Sequence, residues 1–214
     1  MKKQFRYALG EILIVIVGIT IAFSLNKCSE NKKDEATRLQ YLQNIKNDLE
    51  IDKKNLESNL ETISSKIDNL NKALPLINTD NPEKVNAMRS IYPVFTATAF
   101  YPKDITYQTM INSGDFKLID DFDLKAAIET HYSDYNIMLK DYERLEIIHR
   151  EYLGKYMIDH SDFDAMRRGE LGYSNEKLLK NILQSIQGSL YIKYKATERG
   201  LTSCDSLLNT LSNY

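Results

Sequence analysis

The residues of this chain that could do chemistry are three histidines, two cysteines, an acidic loop, a serine beside a glycine, and one glutamate inside an apolar run. His131 and His149 could ligate a metal or carry a proton. They sit on what reads as one helix face, but their separation amounts to about 27 Å at helical rise, so no single ion can hold both. Each is expected to hydrogen-bond within a tyrosine-lined seam. His160 lies in "DHSDFD", where acids at alternate positions begin a calcium-loop pattern that Met166 and Arg167 break. A solvated loop and helix capping explain this stretch and "DFKLIDDFD" better than a cation does. Ser113-Gly114 lacks the Gly-x-Ser-x-Gly context of a nucleophile elbow and reads as a helix stop. Cys28 and Cys204 form no ligand-spaced pair and no disulfide framework. No phosphate loop, dinucleotide fingerprint or paired-thiol motif is present, so the expectation is a protein without cofactor, metal or catalytic residues.

Glu11 remains. It stands in "YALGEILIVIVGITIAFSL", residues 7–25, one turn inside an apolar run long enough to cross the roughly 30 Å of hydrocarbon. At that depth its carboxylate can reach the headgroups near the positive end of the helix dipole. It shares a helix face with Gly18 and Ala22, a small-xxx-small pair that allows close approach of a second helix. Glu11, Gly18 and Ala22 are therefore the candidate partner face of a membrane helix. The rival reading is a cleaved signal peptide, with basic "MKKQFR" before the apolar run and Ala22-Phe23-Ser24 as the cleavage site.

Composition limits the rest. A net charge of −2 gives no basic field for nucleic acid. Neither Gly nor Pro occurs from residue 19 to 74, which favours helix over sheet. From about Glu30 to Leu74 the chain reads as one helix, with Leu42, Ile45, Leu49 and Leu56, then Leu60, Ile63, Ile67, Leu70, Leu74 and Ile77, as a coiled-coil-like seam shifted in phase near Leu56. Such a seam packs on its own domain or on another chain. Pro75 ends it. Asn81 and Pro82 open a short helix to about Ile91. Another runs from about Ile105 to Ser113. Asp120, Asp121 or Asp123 caps a long helix to about Tyr156 with the stripe Leu124, Ile128, His131, Tyr135, Met138, Tyr142, Leu145, His149, Tyr152 and Tyr156. Ser174 or Asn175 caps a last helix to about Leu211, buried through Leu179, Ile182, Leu183, Ile186, Leu190, Leu201, Cys204, Leu208 and Leu211, and weakened at Gly188 and Gly200. The tyrosine stripe is the best place for a polar cavity or docking groove.

"YALGEILIVIVGITIAFSLN" followed by "YLQNIKNDLEIDKKNL" resembles the start of a family of uncharacterised single-span membrane proteins of Bacteroidota. "TYQTMINSGDFKLIDDFDLKAAIETHY", residues 106–132, is similar to a second block of that family. The tryptophan that the family usually places soon after the membrane is missing here. The resemblance implies a retained span and a helical domain, and implies no activity.

The expected fold is all-α: an N-terminal transmembrane helix followed by an antiparallel helical bundle with a long coiled-coil-like first helix. Residues 1–6 form a short basic tail, 7–25 the transmembrane helix, 26–77 a juxtamembrane amphipathic helix and 78–214 the remainder of the bundle. The expected partners are the lipid bilayer and either a second copy or another membrane protein. The expected function is that of a membrane-anchored interaction or scaffold protein, the alternative being an extracytoplasmic sensory or ligand-binding bundle that signals through a membrane partner. Lys and Arg are nearly balanced across the span; the short tail favours the N-terminus inside and the bundle in the periplasm.

Overall fold

The computed structural model describes residues 2–214, with side chains for residues 10, 11 and 13–214. The side chains of the basic tail and of Tyr7 lie outside the described residues.

One helix, α1 (Lys2–Ala73, 72 residues), carries both the apolar run and the first core seam. At about 1.5 Å per residue it is roughly 110 Å long. Its first part stands free: Ile14, Ile19, Phe23 and Leu25 are exposed, and so are all residues from Leu13 to Glu35. Burial begins at Leu42 and recurs at Ile45, Leu49, Asp52, Leu56, Ile63, Lys66, Ile67, Leu70, Ala73 and Leu74. Asp52 fills the seam position between Leu49 and Leu56, and beyond Leu56 the buried stripe widens, with Lys66 and Ile67 and then Ala73 and Leu74 buried side by side. The seam packs within its own chain, and Pro75 converts the helix end into a single tight turn over Leu74–Leu76.

From there the chain descends along α1 towards its free end. A short helix α2 (Lys84–Ser90), a turn at Tyr92–Phe95, an extended strap and α3 (Ile105–Ser113) make up this return. Its contacts fix the direction: Lys66 Nζ donates to Thr96 O and Thr98 Oγ1, Asn59 to Ala99 O, Lys103 N–H to Asp52, Thr106 to Asp48, and Tyr41 to Asp115. Gly114, at φ 76°, ends α3 in the left-handed conformation that a helix stop requires. Asp121 then caps α4 (Phe122–Ile148) by accepting the Leu124 N–H.

Helix α4 therefore climbs parallel to α1. It continues through a π turn, His149–Leu153, into α5 (Gly154–His160). In the π turn the Gly154 N–H bonds the His149 carbonyl five residues back. The wider turn moves the buried stripe by one residue. Leu153 is 3% exposed and Tyr152 60%, the reverse of what an unbroken 4-and-3 alternation predicts, and Tyr156 is buried again. A small loop follows, where Asp162 caps α6 (Phe163–Arg167) and one antiparallel bridge joins Ser161 to Tyr173.

Asn175 caps the last helix, α7 (Glu176–Leu211), which runs antiparallel to both long helices. Against α1 it pairs Gln187 with Asn71 and Asp205 with Lys53, and Glu176 accepts the Asn78 N–H just beyond the end of α1. Against α4 it pairs Thr197 with Tyr142, Arg199 with Asp141 and Ser203 with Asp134, and beyond its end Tyr214 donates to the α4 cap Asp121. The result is an all-α antiparallel bundle in which α7 lies between α1 and α4.

The core divides along its length. A lower cluster holds Leu42–Leu56, Leu124–Tyr142 and Ala196–Leu211; an upper one holds Ile63–Ile77, Leu145–Tyr156 and Leu179–Leu190.

Candidate functional site: an exposed apolar helix and a polar layer in the bundle

Glu11, Gly18 and Ala22 are all exposed on the free part of α1. A Cβ built on Gly18 would meet nothing within 4 Å. Steps of seven and four residues keep the three on one helix face. The three candidate residues therefore share one unobstructed stripe. Continuous helical backbone connects it to the bundle, and the helix is long and apolar enough to cross a membrane, with none of its apolar window buried. Cys28 lies exposed just beyond, whereas Cys204 is buried with its thiol on Leu49 O.

A second constellation escaped the reading of apolar residues because it is made of charged ones in core positions. Between the two core clusters, α1 contributes Lys66, α4 contributes Tyr142 and the π turn His149, and α7 contributes Lys193 and Thr197. Lys193 and Thr197 are fully buried and Lys66 is 3% exposed. The signal was available: Ile186, Leu190, Lys193, Thr197, Gly200, Cys204, Leu207 and Leu211 alternate by 4 and 3, so Lys193 occupies a core position.

Lys66 is satisfied by two oxygens of the strap, at 2.7 and 2.8 Å. Lys193 is not. Its Nζ lies 4.0 Å from the centre of the Tyr142 ring and has no hydrogen-bond partner among the described residues. The Tyr142 hydroxyl is occupied by Thr197, whose own hydroxyl lies 2.8 Å from the Lys193 carbonyl. His149 Nε2 is likewise buried without a partner. Burial pushes Lys193 down to about 8, with Glu146 opposing and Lys66 adding to the fall. Burial also pushes His149 down to about 4, helped by Lys66 and Lys193.

His131 sits one cluster lower, 1% exposed, beside a groove of about 640 Å³ between α4 and α7. Its Nδ1 is 3.1 Å from Ser203 Oγ, and Ser203 donates to Asp134 at 3.0 Å. A carboxylate only accepts, so the serine proton goes to Asp134 and His131 is the donor to Ser203. That polarity is opposite to the one that activates a serine nucleophile, which needs the imidazole to take the proton. As expected from sequence, His131 hydrogen-bonds among tyrosines: the Tyr135 and Tyr132 rings lie 4.1 and 5.1 Å from it.

The remaining candidates serve the fold. Ser113 Oγ faces Met110 O and the Asp115 N–H at the helix stop. In the acidic loop, Asp162 caps α6 and Asp159 pairs with Lys155. Among the described residues no three His, Cys, Asp or Glu side chains gather where they could hold a metal ion.

Fold and site together define a class: a helical bundle built around the far end of a helix whose near end is apolar and uncovered. The chain belongs to the family of unknown function DUF6090, whose model matches residues 11–151. The matched region opens at Glu11 and closes within the π turn. No curated protein and no solved structure matches the chain.

Proposed function

We propose that this is a membrane-anchored interaction or scaffold protein of Bacteroidota, a single-span protein of the cytoplasmic membrane with its bundle in the periplasm. The observation that carries the reading is the division of α1. Residues 13–25 are all exposed although they are the most apolar part of the helix, while the same helix from Leu42 onward contributes to the core. As part of the apolar run 7–25, of about 20 residues, the exposed stretch has the length that crosses the hydrocarbon of a bilayer. In this reading Glu11, Gly18 and Ala22 meet another membrane helix, of a second copy or of a different protein. The work is done by association, without catalysis or nucleic acid.

Alkaline carbonate washing of membranes tests the anchor. The full-length protein is expected to stay in the pellet with its N-terminus intact; a mature chain beginning near Leu25 would replace the anchor by a cleaved signal. A reporter that is active only outside the cytoplasm, fused after Tyr214, tests the side. Activity of a cytoplasmic reporter there instead would reverse the orientation.

A further inference from the structure

We propose that the groove between α4 and α7 binds a small organic monocation, an alkylammonium, with its charge on the Asp134 carboxylate and its alkyl chain along the groove wall. The site is independent of the anchoring role proposed above.

The groove exists because the residues that line it are small. Ala126, Ala127 and Thr130 form the α4 wall, and Thr202, Ser203 and Ser206 form much of the α7 wall. The trough they leave holds about 640 Å³, a volume within the range of small-molecule sites.

The directions of the hydrogen bonds on its floor decide what the groove offers. Ser203 donates its proton to Asp134 at 3.0 Å, and His131 Nδ1 donates to Ser203 at 3.1 Å. The Thr202 hydroxyl spends its proton on the Glu198 carbonyl at 2.9 Å. Both hydroxyls therefore have only lone pairs left. Asp134 accepts from Ser203 through one oxygen, and its second oxygen has no donor among the described residues. The floor is a set of acceptors, so the ligand that satisfies it is a donor.

Charge selects among the donors. The two cations that line the groove are already paired: Lys195 lies 2.7 Å from Glu198, and Arg199 lies 2.9 Å from Asp141. Asp134 pairs with no cation among the described residues. Burial pushes His131 well below its ordinary range, so the imidazole beside Asp134 is neutral at pH 7 and offsets no charge. One carboxylate is left over, and the matching ligand carries one positive charge.

A primary ammonium brings three donors, enough for the free Asp134 oxygen and the neighbouring hydroxyls. Beyond its nitrogen, Ala126, Ala127 and Leu207 offer apolar wall to a short alkyl chain. The carboxylate is also fixed in advance. Ser203 holds it, and His131, 1% exposed, holds Ser203. Little side-chain ordering is then left to oppose binding.

The test is isothermal titration calorimetry of the full chain in a non-ionic detergent with n-butylammonium chloride. Ionic strength is held constant with sodium chloride, and n-butanol serves as the neutral probe of similar shape. The expected result is saturable, one-to-one binding of n-butylammonium at millimolar concentrations, at least tenfold weaker for n-butanol and in Asp134→Asn. A wild-type chain that shows no saturable binding would overturn the proposal. So would n-butanol bound as tightly as the cation, or an Asp134→Asn protein with wild-type affinity. Should Asp134→Asn fail to fold, Thr130→Trp decides: it fills the groove from an exposed position, and unchanged binding there overturns the site just as well.

Discussion

Gly200 lies against Met138 so closely that a Cβ added to the glycine would come within 2.4 Å of the Met138 sulfur. The Met138 side chain of α4 thus packs directly on the α7 backbone, and Met138 is itself 2% exposed. Sequence reasoning takes Gly188 and Gly200 alike as weak points of α7. In the structure they differ: Gly188 faces open space, while Gly200 permits the helices to touch.

The two glycines therefore predict opposite outcomes. Gly200→Ala must displace Met138 and should cost about 1–3 kcal/mol, only partly offset by better helix propensity. Gly188→Ala should stabilise by about 0.5–1 kcal/mol. Thermal unfolding monitored by circular dichroism distinguishes them, and equal shifts would mean that the close approach does not exist in solution.

Leu183 and Ile186 are both fully buried in the upper cluster. Changing either to alanine should cost about 2–5 kcal/mol, the range for large-to-small core changes. A loss near zero would remove α7 from the core.

Acid should destabilise the bundle through its histidines. Burial pushes His131 down to about 4, below its ordinary 6.5, against a smaller opposing pull from Asp134. The unfolded chain then binds the proton more readily, so the stability contributed by neutral His131 is complete above pH 6.5 and is lost as pH falls towards 4. Asp52 acts in the other direction. Burial raises it to about 6, so its contribution is present at low pH and is lost as pH rises through about 6. Denaturant titrations from pH 7 to 4 should show a net loss for wild type. The loss should be shallower in His131→Asn, which keeps a donor for Ser203, and steeper in Asp52→Asn.

Glu11 can be tested by association in the membrane. If it meets a partner helix, crosslinking yield should fall strongly in Glu11→Leu and Gly18→Leu and less in Glu11→Gln, which retains hydrogen bonding. Equal yields in all three variants would reduce Glu11 to a tolerated interfacial charge.

Elements were legible where apolar periodicity and capping chemistry agreed. The Gly114 stop, the Asp121 cap and the Asn175 cap stand where the residue types put them. The polar layer was missed because an apolar stripe is traced from apolar residues, and Asp52, Lys66 and Lys193 interrupt it while keeping its period. The Tyr152-for-Leu153 exchange was illegible for another reason. A π turn leaves no mark in residue type, and a one-residue insertion changes every buried position until the next spacing of three absorbs it.

Because α1 is one uninterrupted helix, the direction in which the bundle lies is set by how its exposed apolar part is turned. An ideal helix advances about 100° per residue, which puts Leu42, Ile45 and Leu49 roughly 180° around the axis from Glu11, Gly18 and Ala22. The bodies of α4 and α7 thus hang on the side of α1 away from the proposed partner stripe. Two copies docked through that stripe would stand back to back with their bundles splayed outward. The surface each presents to its surroundings would then be the α4–α7 face bearing the His131–Ser203–Asp134 groove.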